Sequence, residues 1–236
     1  MPTAVSTDSA KRALLERLID DAGLFPPAEL AMRTAIRAHL RHRESAYSWV
    51  GGRFVVPASR LDEFASTRSA ADGPFELSVV LDSGASGAKG DTVRADLHRI
   101  DRIADLAGVT VTSLEARLPN VTLNADAMHV ILADIVSRYP SAPIAFFYES
   151  SYSGGWTSAP AEWLAVLAAA RTNAPANVTI GAKVRCGGAV SGATPSVPDL
   201  ASFITAAQTH GVPWKATAGL HHPVRAEAGV DTSRAV

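Results

Sequence analysis

The chain has 236 residues, 47% of them apolar and 19% charged, with a formal net charge of −1. That length can bury a substantial core in one large domain or two small ones, whereas the near-neutral balance leaves no surplus of Lys and Arg for phosphate neutralisation and excludes a dedicated nucleic-acid binder. A single cysteine, Cys186, excludes an internal disulfide framework and suits a reducing compartment.

No apolar run approaches the ~20 residues of a membrane span, and Met1 to Lys11 lack the apolar centre of a secretory signal. The expectation is a cytoplasmic protein with no membrane and no nucleic-acid partner. The chain reads as a single domain over residues 1–236, with an N-terminal helical segment over 1–45 and a polar tail over 225–236.

A first helix is expected after Asp8 or Ser9, because Leu14, Leu15, Leu18 and Ile19 recur at helical spacing before Gly23. Pro26 and Pro27 then open a second helix from about Ala28 to Arg43, with Arg33, Arg37, Arg41 and Arg43 on a solvated face. Beyond this the period changes. Strands are predicted at Arg53–Val56, Glu76–Asp82, Ser113–Leu118, Ile144–Glu149, Thr179–Arg185 and Pro213–Thr217. Helices are predicted between them at Arg60–Ser66, Asp96–Ala107, Asp126–Arg138, Pro160–Arg171 and Pro198–His210.

Such alternation implies βαβ units and a parallel sheet. Six strands are visible, whereas a closed (β/α)₈ barrel needs eight and about 250 residues. The expected fold is therefore α/β: a TIM-barrel-like parallel (β/α) barrel, incomplete, with N-terminal helices, or else an open sheet. The Gly/Ser-rich segments 83–91 and 150–158 both follow strands, where α/β proteins place their chemistry.

The richest stretch is Gly181-Ala-Lys183-Val-Arg185-Cys186-Gly187-Gly188, followed by Trp214-Lys215-Ala-Thr217-Ala-Gly219-Leu-His221-His222. Each run sets a lysine near the end of a predicted strand. Two-residue periodicity puts Lys183 with Arg185 on one face, and Lys215 with Thr217 on one face of the next strand. Neighbouring strands lie ~4.8 Å apart, so the two ammonium groups are expected close together. Crowding and burial would both favour a neutral amine, the route by which a lysine becomes a Schiff-base nucleophile.

Glu149 ends the preceding strand and can move protons or simply pair with a lysine. Lys183, Lys215 and Arg185 can equally clamp an anion without covalent chemistry, with backbone N–H groups near Gly187 and Gly188 assisting. His221 and His222 point apart in an extended segment, so one of them serves better as an acid or base than both as ligands of one metal. A metal site joining one of them to Glu149 or Asp82 lacks any spaced ligand motif. His39, His42, His98, His129 and His210 lie on predicted helices and read as surface residues. Cys186 reads as a small buried residue.

Two resemblances follow from these motifs. Ala22-Gly-Leu-Phe-Pro-Pro-Ala28, Gly52-Arg-Phe-Val-Val-Pro57 and Lys215-Ala-Thr-Ala-Gly-Leu-His-His-Pro223 resemble a widespread bacterial family of uncharacterised proteins, whose members carry a further strand-like segment beyond the position of Val236. The run from Gly181 to Thr217 resembles the last third of deoxyribose-phosphate-type class I aldolases. That resemblance sets Lys183 at the Schiff-base position and Lys215 at the second-lysine position. Arg185 and Cys186 replace small hydroxyl residues of that family, and His221-His222 replaces its glycine-rich phosphate grip.

The expected activity is a lyase or isomerase step on a small carbonyl compound through a Lys183 imine. Lys215 would lower the Lys183 pKa, Glu149 or His221 would move protons, and Arg185, Thr217, His222, Gly187 and Gly188 would bind substrate. No cofactor is expected. Partners are a small carbonyl or anionic metabolite, with self-association into a homo-oligomer left open. The alternatives are a metal- or acid/base-assisted isomerase or hydrolase using Glu149 with His221 or His222, and a non-catalytic binder of a small anionic metabolite.

Overall fold

A computed structural model describes residues 7–82, 91–117, 125–152, 154–156, 159–187 and 194–218. Helix α1 covers Thr7–Leu15, strand β1 Ile19–Asp21 and helix α2 Met32–Glu44. Five βα repeats and a last strand complete the sheet: β2 Gly51–Pro57, α3 Leu61–Thr67, β3 Phe75–Leu81, α4 Asp91–Ala104, β4 Val109–Arg117, α5 Ala125–Arg138, β5 Ile144–Glu149, α6 Pro160–Asn173, β6 Val178–Arg185, α7 Val197–Thr209 and β7 Trp214–Thr217. Every strand pairs in parallel with the next, in the order β1 to β7. The result is an incomplete (β/α) barrel: a seven-stranded sheet curled into a half-barrel. Among the described residues, no helix is long and apolar enough to cross a membrane.

The sheet has one oily face and one polar face. Phe54, Val56, Leu77, Val79, Leu114, Ala116, Phe146, Tyr148, Ile180, Ala182 and Val184 pack against Leu61, Phe64, Leu97, Ile100, Trp163, Leu164 and Phe203 of the helices. These alternate positions form the core. The intervening positions, pointing into the curl, include Arg53, Ser78, Glu115, Glu149, Lys183 and Lys215. Strand parity decides which residues reach the concave side.

One irregularity sets that parity in β4. Leu77 pairs with Val111 and Ser78 with Ser113, leaving Thr112 as an extra residue. Before the bulge Val109 and Val111 face the helices; after it Leu114 and Ala116 do, and Glu115 turns inward.

Local chemistry explains the helix starts. Pro160 occupies the first turn of α6 and Pro198 that of α7, where a missing N–H costs nothing. The Ser196 side chain accepts from the Asp199 backbone N–H to cap α7. Gly211, at φ 62°, supplies the left-handed residue that turns the chain from α7 into β7.

Four expectations are corrected. Ile19 begins a strand rather than continuing the first helix, which ends at Leu15, so the sheet has seven strands and not six. Leu14, Leu18 and Ile19 are exposed, so their helical spacing marks no core-facing stripe. The second helix begins at Met32 rather than Ala28, because Leu30 N–H bonds back to Gly23 and Ala31 is extended. His39 is buried against the rings of Phe54 and Phe75, with Asp21 3.4 Å from its Nδ1, and is not a surface residue.

Candidate functional site

Three strand ends make the centre of the site. In the β5–β6–β7 register, Glu149 sits opposite Lys183 and Lys183 opposite Lys215; Arg185 sits opposite Thr217. The two lysines therefore do share one mouth, on adjacent strands. Glu115 of β4 stands between their ammonium groups. Its Oε2 lies 2.8 Å from Lys183 Nζ and its Oε1 2.8 Å from Lys215 Nζ.

The network extends in both directions. Lys183 Nζ is also 3.0 Å from Glu149 Oε2, and Lys215 Nζ is 2.8 Å from Asp20 Oδ2. Ser78 donates its hydroxyl to Glu115 at 2.7 Å. Asp20 is fixed from behind by the Arg53 backbone N–H at 2.8 Å. At the rim, Glu149 Oε1 receives Arg185 Nε at 3.2 Å and lies 3.6 Å from Arg117 Nη1.

Packing beneath the lysines depends on one small residue. The ring of Phe147 lies under Lys215, with Nζ 5.5 Å from its centroid. A Cβ at Gly181 would stand 2.6 Å from that ring and 2.8 Å from the Pro213 carbonyl oxygen. Glycine there lets the aromatic ring lie flush against β6.

Burial and charge compete at each group. Lys183 has a side-chain exposure of 5%, against 18% for Lys215. Burial works to lower the Lys183 pKa, but Glu115 and Glu149 together carry it above the ordinary lysine value. Burial likewise works to raise Glu115, yet the two lysines hold it down to about 2. Glu149 is also held below its ordinary value, against burial, by Lys183 and Arg185. The expectation that Lys215 would strip the proton from Lys183 is thus corrected: a carboxylate screens one cation from the other, and the resting lysine is an ammonium.

Of the residues singled out in the sequence, Lys183, Lys215, Glu149, Arg185 and Thr217 come together on the concave face. Thr217 Oγ1 is buried with no hydrogen-bond partner among the described residues. Gly187 follows β6 and is buried. Gly188, His221 and His222 lie outside the described residues. Asp82 is turned to Ser59, accepting from its backbone N–H at 2.9 Å and its hydroxyl at 2.5 Å. Among the described residues, no group of three or more His, Cys, Asp or Glu side chains is placed to hold one metal ion. Burial pushes the Cys186 thiol pKa up.

Sequence reasoning missed Asp20, Glu115, Arg117 and Ser78. A signal existed for Glu115 and Arg117, two charges at alternate positions of the predicted strand Ser113–Leu118. None existed for Asp20, hidden in an apparent helix. Comparison with protein families, with curated proteins and with solved structures found no match to this chain, so its chemistry is argued from the geometry above.

Proposed function

We propose that the chain is a lyase or isomerase that acts on a small carbonyl compound through an imine at Lys183. One observation carries the reading: Lys183 and Lys215 occupy facing register positions on adjacent strands and share the buried carboxylate of Glu115. An ammonium that becomes the nucleophile on losing its proton, two carboxylates beside it and a second cation then stand in one hydrogen-bonded chain. This is the equipment that imine chemistry needs.

In this reading the ion pair is the resting form. A carbonyl substrate that displaces water from the mouth lowers the local polarity, which favours the neutral amine–acid pair over separated charges. Glu149 takes the Lys183 proton, the amine adds to the carbonyl carbon, and the same carboxyl group returns the proton to oxygen. Water then departs from the carbinolamine and leaves an iminium on Lys183. The iminium accepts the electrons of an adjacent C–H bond, whose proton passes to Glu149, or of a C–C bond, whose far carbon leaves as an aldehyde after giving its hydroxyl proton to Glu149. The Glu149 carboxyl then protonates the enamine carbon, and hydrolysis of the restored iminium frees the lysine. Glu115, locked by Ser78 and Lys215, stays anionic beside the iminium and stabilises its charge. No metal or cofactor enters these steps.

The test is borohydride reduction in the presence of acetaldehyde, pyruvate or glyceraldehyde, followed by peptide mapping. A stable adduct on Lys183 that is lost in Lys183→Met is expected. An adduct only on Lys215 would move the nucleophile to β7, and no adduct with any carbonyl would overturn the covalent reading.

The raised Lys183 pKa favours a second reading, in which the lysine is a permanent cation and the mouth binds a small anionic metabolite without turnover. Ligand-dependent thermal stabilisation that survives in Lys183→Arg, with no trapped adduct, would select it. The acid/base or metal-assisted alternative would require His221 or His222 to join Glu149.

A further inference from the structure

We propose that Arg117 and Arg185 form an oxyanion site at the mouth of the half-barrel, for the carboxylate or phosphate group of a small metabolite. Arg117 ends β4, Glu149 ends β5 and Arg185 ends β6, so the two guanidinium groups flank one carboxylate on three successive strands. Both cations reach the same oxygen, Glu149 Oε1, whose partner oxygen is already bound to Lys183. One negative charge therefore serves three positive ones.

The surplus extends through the whole connected network. Among the described residues, Arg53, Arg117, Lys183, Arg185 and Lys215 supply its cations, and Asp20, Glu115 and Glu149 its carboxylates. The imbalance falls where solvent reaches. Arg117 and Arg185 have side-chain exposures of 45% and 41%, while Lys183 beneath them is enclosed. Among the described residues, Arg185 donates a hydrogen bond only through Nε, and Arg117 makes a single ion pair at 3.6 Å.

In sequence, the segments that follow β3, β4, β5 and β6 (residues 83–90, 118–124, 150–159 and 186–196) contain no Asp or Glu, whereas the residues after β7 include Glu227 and Asp231. Two planar guanidinium forks with unused N–H groups suit an oxyanion, which can take paired hydrogen bonds from each. Glu149 does not repel such a ligand strongly, because Lys183 neutralises it from the buried side.

The site itself does not depend on imine formation; only the further step, that the anion belongs to the carbonyl substrate, rests on the reading given above. The probes are inorganic phosphate and malonate, titrated calorimetrically at constant ionic strength with chloride as background. Saturable binding of one of them is expected, weakened at least tenfold in Arg117→Gln and in Arg185→Gln and unchanged in Arg41→Gln, a solvent-facing control on α2. Tighter phosphate binding would point to a phosphorylated ligand, and tighter malonate binding to a carboxylate.

A second measurement needs no variant. In the native chain, the tighter anion should protect Arg117 and Arg185 from phenylglyoxal, as read by peptide mass. Binding no stronger than the chloride background, or binding and protection that ignore both arginines, would overturn the proposal. Anion binding without a borohydride adduct would keep this site and remove the imine. An adduct without anion binding would do the reverse.

Discussion

Asp20 and Lys215, 195 residues apart in the chain, meet at 2.8 Å between the first strand and the last. Since β1 and β7 are the two ends of the sheet, this contact spans its two edges from the inside. Lys215 is also tied to Glu115 of β4, so a single ammonium group connects both edges with the middle of the sheet.

Replacing Asp20 with Asn should loosen that connection without disturbing the oily face. β7 has only four residues and pairs on one side, so it depends on such contacts. Amide hydrogen exchange at Trp214–Thr217 should quicken by at least several-fold, while β3, β4 and β5 keep their protection. Unchanged exchange in β7 would show that the contact does not hold the edge.

Glu115→Leu removes the carboxylate that two cations share. Stripping one partner from a buried ion pair typically costs about 3–5 kcal/mol, since the orphaned charge keeps its desolvation penalty. A drop towards the lower end is expected in urea unfolding, because Glu149 and Asp20 still hold one lysine each. The double variant Glu115→Leu/Lys183→Leu should recover part of the loss, and strict additivity would argue against coupling.

Stability should fall on both sides of a broad plateau. Glu115 has a folded pKa of about 2 against an ordinary 4.5, so it stabilises the fold above the unfolded value. That contribution, about 3 kcal/mol, is lost as pH falls from about 4.5 towards 2. Glu149 shifts in the same direction and adds to the acid limb. Lys183 is raised, so its contribution is intact below the unfolded value of 10.5 and is lost as pH climbs through the folded one. Chemical unfolding at a series of pH values should show the acid limb shrink in Glu115→Leu.

Gly181→Ala should destabilise the fold by about 1–3 kcal/mol, the usual effect of forcing a methyl group into a filled space. The new Cβ would meet both the Phe147 ring and the Pro213 carbonyl. Adding Phe147→Leu should recover only part of the loss, because the carbonyl is backbone and cannot turn aside. Full recovery would mean that the ring alone excludes the methyl.

Most of the sheet was legible in the sequence because its strands are buried on the helix side and alternate cleanly. Ile144–Glu149 was placed to the residue, and the others within a few. β1 was not legible: three residues are too few to show a period, and they follow a run whose Leu and Ile spacing imitates a helix. Lys183 and Lys215 could be set on one mouth from strand parity and parallel neighbourhood alone. What surrounds them could not, because Glu115 reaches them from two and three strands away and Asp20 from the opposite edge. Local pattern reports which face a residue takes, whereas an ion-pair partner is decided by curvature. The lysine charge state was misread for the same reason.

The extra residue at Thr112 has a consequence for how such a chain acquires or loses its chemistry. With an unbroken repeat from Val109, Glu115 and Arg117 would be driven into the layer now filled by Leu114 and Ala116, and those two would line the cavity. One codon gained or lost at this point exchanges the inside and the outside of the strand's second half. No substitution of a single amino acid could do as much, so the ancestry of this site would be read more surely from insertions and deletions than from replaced letters.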